Sequence, residues 1–230
     1  MCFSATASFA AGTLLGAVGV ASMKEAKEHS QRLFASIPLW FSIQQFVEGF
    51  VWLALSTAEP PGWKDGMIAG FLLFALVIWP VWVSVAMLPL EKEKTRKYLL
   101  YFCLLCGIVF ASFAGYYMTE YPMTAQISNY HILYKLDFPF RDNFFVPILY
   151  IIATVLPLLI SSVKRVPVLG GIIFLSYVLA KLFFYNYVIS VWCFFAAIIS
   201  VVIYMMVSNR IKVFENKASV KTNTNEETWG

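Results

Sequence analysis

Glu48 is a carboxylate set in an apolar stretch, within the run Gln44-Gln45-Phe46-Val47-Glu48-Gly49. Gln44 precedes it by four residues, Gln45 by three, and Trp52 follows four later. On a helix these polar groups share one face. A charged side chain in hydrocarbon costs at least ~2.5 kcal/mol, so Glu48 must face a protein interior, find partners or take up a proton. Two readings stand. One is a buried hydrogen-bond network joining helices. The other is a ligand, proton or ion site, with Glu48 as charge centre and the glutamines as orienting donors and acceptors. Lys181 is the second ionisable residue in an apolar run, with Tyr185 and Asn186 just beyond it. Its stem can carry the ammonium to the membrane surface, or the cation can pair with Glu48 and lower the cost of both.

Cysteine supplies the third kind of chemistry. The topology argued below puts Cys2 and Cys193 near one face of the membrane. Separate packing, a disulfide, and a thiolate or metal site with His131 or Glu48 all stay open. So does a nucleophilic role: with Met1 removed, the Cys2 amine could serve its own thiol as base, and Glu48 or His131 would be the acid/base partner. Cys103 and Cys106 form a CxxC with no second pair to complete a zinc site, so they read as core. His29 sits among charges and reads as solvated. The stretch 119–143 holds His131, Asp137, Arg141 and Asp142, and the helical spacing of Ile127, Tyr130, His131 and Tyr134 predicts a short interfacial helix forming a lid. No HExxH, GxSxG, P-loop or dinucleotide fingerprint occurs, and no metal or cofactor is specified.

These residues need elements to position them, and composition names the solvent those elements face. The 230 residues are 60% hydrophobic and only 13% charged, with mean hydropathy +0.73. A soluble chain is about 45–50% apolar and about 25% charged. A soluble domain, intrinsic disorder, a coiled coil and a cysteine scaffold are therefore excluded. Seven apolar runs are legible, over 3–23, 35–57, 66–88, 98–118, 144–163, 168–187 and 189–208. Each approaches the ~20 residues needed to span, and lipid tolerates only backbones that satisfy their own hydrogen bonds. The expectation is an all-α integral membrane protein, a single bundle of seven transmembrane helices. The start has no basic segment before its long apolar run, so the first run reads as a retained span. Residues 209–230 are polar and read as a disordered cytoplasmic tail.

Thirteen of the seventeen lysines and arginines lie between runs one and two, three and four, five and six, or after run seven. The four others are Lys64, Lys135, Arg141 and Lys181. The positive-inside rule then sets the amino terminus outside and the carboxyl terminus in the cytoplasm. The net charge of +4 is a topology signal, and no soluble basic surface for nucleic acid is implied. Run seven carries no lysine, which excludes a retinal Schiff base of the usual rhodopsin kind. Gly12-x-x-x-Gly16, with Gly19, lets run one pack closely, inside the monomer or in a homodimer. Pro38, Pro80 and Pro157 can bend their helices.

The opening Met1-Cys2-Phe3-Ser4-Ala5, the segment Gln44-Gln45-x-x-Glu48-Gly49 and the segment Ser190-Val191-Trp192-Cys193-Phe194-Phe195-Ala196-Ala197 resemble a family of small, uncharacterised bacterial multi-pass membrane proteins. The resemblance implies a bacterial inner membrane and supplies no activity. The predicted site is a polar pocket in the outer half of the bundle, drawn from Cys2, Gln44, Gln45, Glu48, His131, Lys181, Asn186, Trp192 and Cys193. Its expected occupant is a small polar molecule, a lipid headgroup or an ion, bound and in some versions transported or sensed. An intramembrane thiol enzyme and a metal or haem protein are the alternatives, and membrane lipids are the expected partners.

Overall fold

The computed structural model describes residues 4–138 and 145–208. Cys2, Arg141, Asp142 and the tail from 209 lie outside the described residues. The chain is mostly helical. We label the main elements α1 (Ala5–Glu25), α2 (Ile37–Ser56), α3 (Lys64–Met87), α4 (Lys94–Glu120), β1 (Met123–Ser128), β2 (His131–Leu136), α5 (Phe145–Thr154), α6 (Val166–Phe183) and α7 (Tyr185–Val207). Among the described residues five helices, α1, α3, α4, α6 and α7, are long and apolar enough to cross a membrane. α2 is as long as a span, and its Gln44, Gln45 and Glu48 dilute its apolar character.

Run five is not one continuous helix. α5 stops at Thr154, and a short separate helix, Leu156–Leu159, follows. Pro157 has no N–H to offer the helix and crowds the preceding turn. The boundary of runs six and seven also moves. α6 ends at Phe183, so Tyr185 and Asn186 belong to the opening turn of α7.

Helices adjacent in the chain pack together, α5 reaching α6 through the short Leu156–Leu159 helix, and the end of α7 (Val201–Val207) returns to α1. The α1–α2 pair explains the glycines. A Cβ on Gly12 would meet Phe46, one on Gly16 would meet Ser42, one on Gly19 would meet Leu39, and one on Gly49 would meet Phe9. The Ser42 hydroxyl donates to the Gly12 carbonyl at 2.7 Å. The small-residue face of α1 is thus occupied by α2 of the same chain.

The predicted interfacial helix is a β-hairpin instead. β1 and β2 pair antiparallel, joined by Asn129 and Tyr130, both at positive φ (48° and 60°). A two-residue loop with two left-handed residues twists in the sense the strands require, and this local geometry overrides the helical spacing. The hairpin does cover one end of the bundle. Ile132 is fully buried, and Tyr134 stacks on Phe71 of α3 with centroids 4.7 Å apart.

The opposite end is held by Glu91, a loop residue only 1% exposed. Its carboxylate accepts from the Ser162 hydroxyl (2.5 Å) and amide (2.8 Å) and from the amides of Lys92 and Glu93 (3.0 and 3.1 Å). Arg96 donates to the Ile160 carbonyl at 2.8 Å beside it. Burial pushes the Glu91 carboxyl up, but the Ser162, Glu93 and Lys92 hydrogen bonds outweigh it and hold it below the ordinary carboxylate value. This clasp ties the α3–α4 connection to the α5–α6 connection. Both are basic loops, so the end is called the basic end below.

Candidate functional site

α2 presents Gln44, Gln45, Glu48 and Trp52 on one inward face, all nearly or wholly buried. Glu48 accepts from Ser190 of α7 at 2.7 Å through Oε1 and from the Gln45 amide at 3.3 Å through Oε2. Gln44 Oε1 accepts from Trp79 Nε1 of α3 at 2.7 Å. Trp79 is itself stacked on Phe41, with centroids 4.0 Å apart. The Cys193 thiol lies beside the Gln44 amide and within electrostatic reach of Glu48. One polar patch of α2 therefore ties α2, α3 and α7 together. Gln44 Nε2, Gln45 Oε1 and Trp52 Nε1 have no hydrogen-bond partner among the described residues. Buried polar atoms in this state are costly and uncommon.

Two cavities adjoin this cluster. A chamber of about 860 Å³ lies in the hairpin half, among α3 to α7 and β2. Among its lining residues Val109, Phe113, Phe145, Ile148, Lys181, Tyr185 and Asn186 are exposed, with Lys181, Tyr185 and Asn186 the polar part of its mouth, and Tyr134, Trp192 and Cys193 are buried. Its walls are mostly apolar. An inner cavity of about 60 Å³ lies toward the basic end, between Ile37, Leu158, Leu169 and Ile203. Tyr150, Trp192 and Cys193 line both.

The α3 backbone explains where Tyr150 is anchored. Residues Phe74–Ile78 are π-helical, and the Trp79 N–H reaches back five residues to the Phe74 carbonyl. Continuing that pattern, the next bond would run from residue 80 to Ala75, but residue 80 is proline and has no N–H. The Tyr150 hydroxyl donates to the Ala75 carbonyl instead, at 2.6 Å.

The residues predicted to share one polar pocket separate into two groups. Gln44, Gln45 and Glu48 form a packed cluster and do not line the chamber, whereas Lys181, Asn186, Trp192 and Cys193 do. Cys193 lies where the two groups meet, beside the Gln44 amide. The pairing of Lys181 with Glu48 is not formed. Lys181 is exposed, its ammonium 6.0 Å from the Tyr177 ring centroid, while Glu48 is fully buried. Cys193 is a free thiol rather than half of a disulfide, as are Cys103 and Cys106. His131 stacks on Tyr187 with centroids 5.0 Å apart, and its Nδ1 lies 2.6 Å from the Asn129 carbonyl. It helps to hold the hairpin and does not line the chamber. The nucleophile expected at Cys2 falls outside the described residues. Among the described residues no group of three or more His, Cys, Asp or Glu side chains could hold a metal ion.

Sequence reasoning missed Ser190, Tyr150, Trp79 and Glu91. Ser190 sits three residues before Cys193 and hence on the same helical face, which was the available signal. Nothing local marks Tyr150 or Glu91.

Fold and site define a helical protein built largely of apolar spans, with a buried polar cluster beside an apolar chamber. The chain belongs to the family of unknown function DUF6629, whose model matches residues 1–218. No curated protein and no solved structure matches it.

Proposed function

We propose that this chain is a seven-span, N-out/C-in protein of a bacterial inner membrane that binds an anionic, lipid-like amphiphile in the chamber of its hairpin half. The supporting observation is the chamber itself: about 860 Å³ of mostly apolar wall with Lys181 at its mouth. That volume is in the range of small-molecule sites. An acyl chain gains little by leaving lipid for an equally apolar wall. Selection must therefore come from the polar mouth, where Lys181 attracts an anion and Tyr185 and Asn186 offer hydrogen bonds. The uneven placement of basic residues supports the orientation, and the resemblance to bacterial multi-pass proteins supports the membrane.

The test is the lipid that accompanies the full-length protein through purification, identified by mass spectrometry. An anionic lipid enriched over the bulk membrane is expected. A lysine near a membrane surface contributes about 1 kcal/mol to anion attraction, so Lys181→Ala should cut the enrichment about fivefold. Bound lipid matching the bulk composition in both proteins would refute the reading.

A further inference from the structure

The chamber and the inner cavity lie end to end, and a single layer made by Tyr150, Trp192 and Cys193 separates them. Tyr150 and Trp192 meet edge to face, with centroids 5.5 Å apart. Tyr150 is tethered across the bundle through its hydroxyl to the Ala75 carbonyl.

Three helices around this layer depart from regular α geometry. α3 changes to π-helical geometry at Phe74–Ile78. α5 breaks at Val155, five residues beyond Tyr150. α7 tightens at Ser200, eight residues beyond Trp192, where the Ile203 N–H donates to the Ser200 carbonyl at 3.0 Å. Such interruptions are where helices bend, and broken spans around a central site mark transport proteins that expose it to each side in turn. Beyond the inner cavity, the Glu91–Ser162 clasp joins the two loops of the basic end. The wide chamber thus lies in the hairpin half, and the loops of the basic half are bridged by the clasp.

We propose that the two cavities are halves of one translocation path for the amphiphile assigned above, with the Tyr150–Trp192 layer as its gate and the Glu91–Ser162 clasp as its closure at the basic end. The inference rests on the amphiphile reading for its cargo but not for its geometry. In the resting state the gate is shut and cargo reaches only the chamber. Swinging α5 about Val155 breaks the Tyr150–Ala75 bond and joins the cavities. Releasing the clasp opens the joined path to the basic side.

The experiment uses full-length protein in proteoliposomes carrying Cys2→Ser, Cys103→Ala, Cys106→Ala and Cys193→Ser, with Thr154→Cys as reporter. Thr154 lines the inner cavity and not the chamber. A charged, membrane-impermeant methanethiosulfonate is added at the hairpin face, and its labelling rate follows the population of the open form. Labelling should be slow with the gate intact and about tenfold faster with Tyr150→Ala. Tyr150→Phe, which keeps the ring and removes only the tether, should give an intermediate rate. Glu91→Gln should speed labelling from the basic face instead. Rates unmoved by either Tyr150 substitution overturn the gate. So does an equal rise with Phe113→Ala, which alters the chamber wall away from the layer. Lipid enrichment is read separately by mass on the same proteins. Unaltered enrichment with unresponsive labelling refutes the path alone, and lost enrichment with responsive labelling refutes the amphiphile alone.

Discussion

Glu48 is kept in the bundle by partners from its own helix and from far along the chain. Gln45 lies one turn away and is expected from spacing, whereas Ser190 is 142 residues distant. Removing a hydrogen-bond donor from a buried carboxylate costs about 1–3 kcal/mol. Ser190→Ala should therefore lower thermal stability by that amount. Ser208→Ala, which removes an exposed hydroxyl, should cost almost nothing, and equal losses from the two would contradict the role given to Ser190. Gln44 and Trp79 should likewise show coupling of about 0.5–1.5 kcal/mol in a double-mutant cycle of Gln44→Leu and Trp79→Phe. The shared face of Gln44, Gln45 and Glu48 was legible because helical periodicity is local. Their partners were not, because register between distant helices is set by packing.

Connections between elements carry as much information as the elements. A charge in a basic loop reads as solvated, and Glu91 is buried all the same, because the α5–α6 connection folds onto it with the Ser162 hydroxyl and amide. Its carboxyl is held below the ordinary value of 4.5, so the folded state binds its proton less readily than the unfolded chain does. The stability it contributes is complete above pH 4.5 and is lost as pH falls through the lower folded value. The difference in melting temperature between the native protein and Glu91→Gln should accordingly shrink below pH 4.5 and stay constant above it. At the α3–α4 crossing, a Cβ on Gly107 would collide with the Pro80 carbonyl oxygen, whereas Gly115 on the same helix has open space. Gly107→Ala should destabilise by about 1–3 kcal/mol, while Gly115→Ala should be neutral or stabilising by up to about 1 kcal/mol. The melting temperatures of the two variants decide it. The hairpin shows the limit of periodicity: i, i+3, i+4 spacing over a few residues yields to a turn that can pair two strands.

For the whole molecule, five of the helices among the described residues are long and apolar enough to cross a membrane, run five is cut short near Pro157, and the boundary between runs six and seven is displaced. The N-out/C-in orientation is proposed from the basic loops. A reporter that folds only in the cytoplasm should be active when fused after Ser208, and one that needs the outer side should be active when inserted at Asn129–Tyr130. The reverse pattern would overturn the N-out/C-in proposal. The sequence alone determined, from its composition, that the solvent is largely lipid and, from residue order, where the apolar runs lie and which ionisable residues are misplaced within them. These are sums over residues and local periods, and no partner needs to be known. Only the tertiary structure decided that the predicted polar pocket is two separate things, a packed cluster around Glu48 and an apolar chamber behind Lys181. Which helix face meets which, and where a gap remains between them, depends on side-chain volumes brought together from across the chain. One instance is Tyr150 filling the hydrogen bond that Pro80 leaves open at Ala75, a match that neither segment declares on its own.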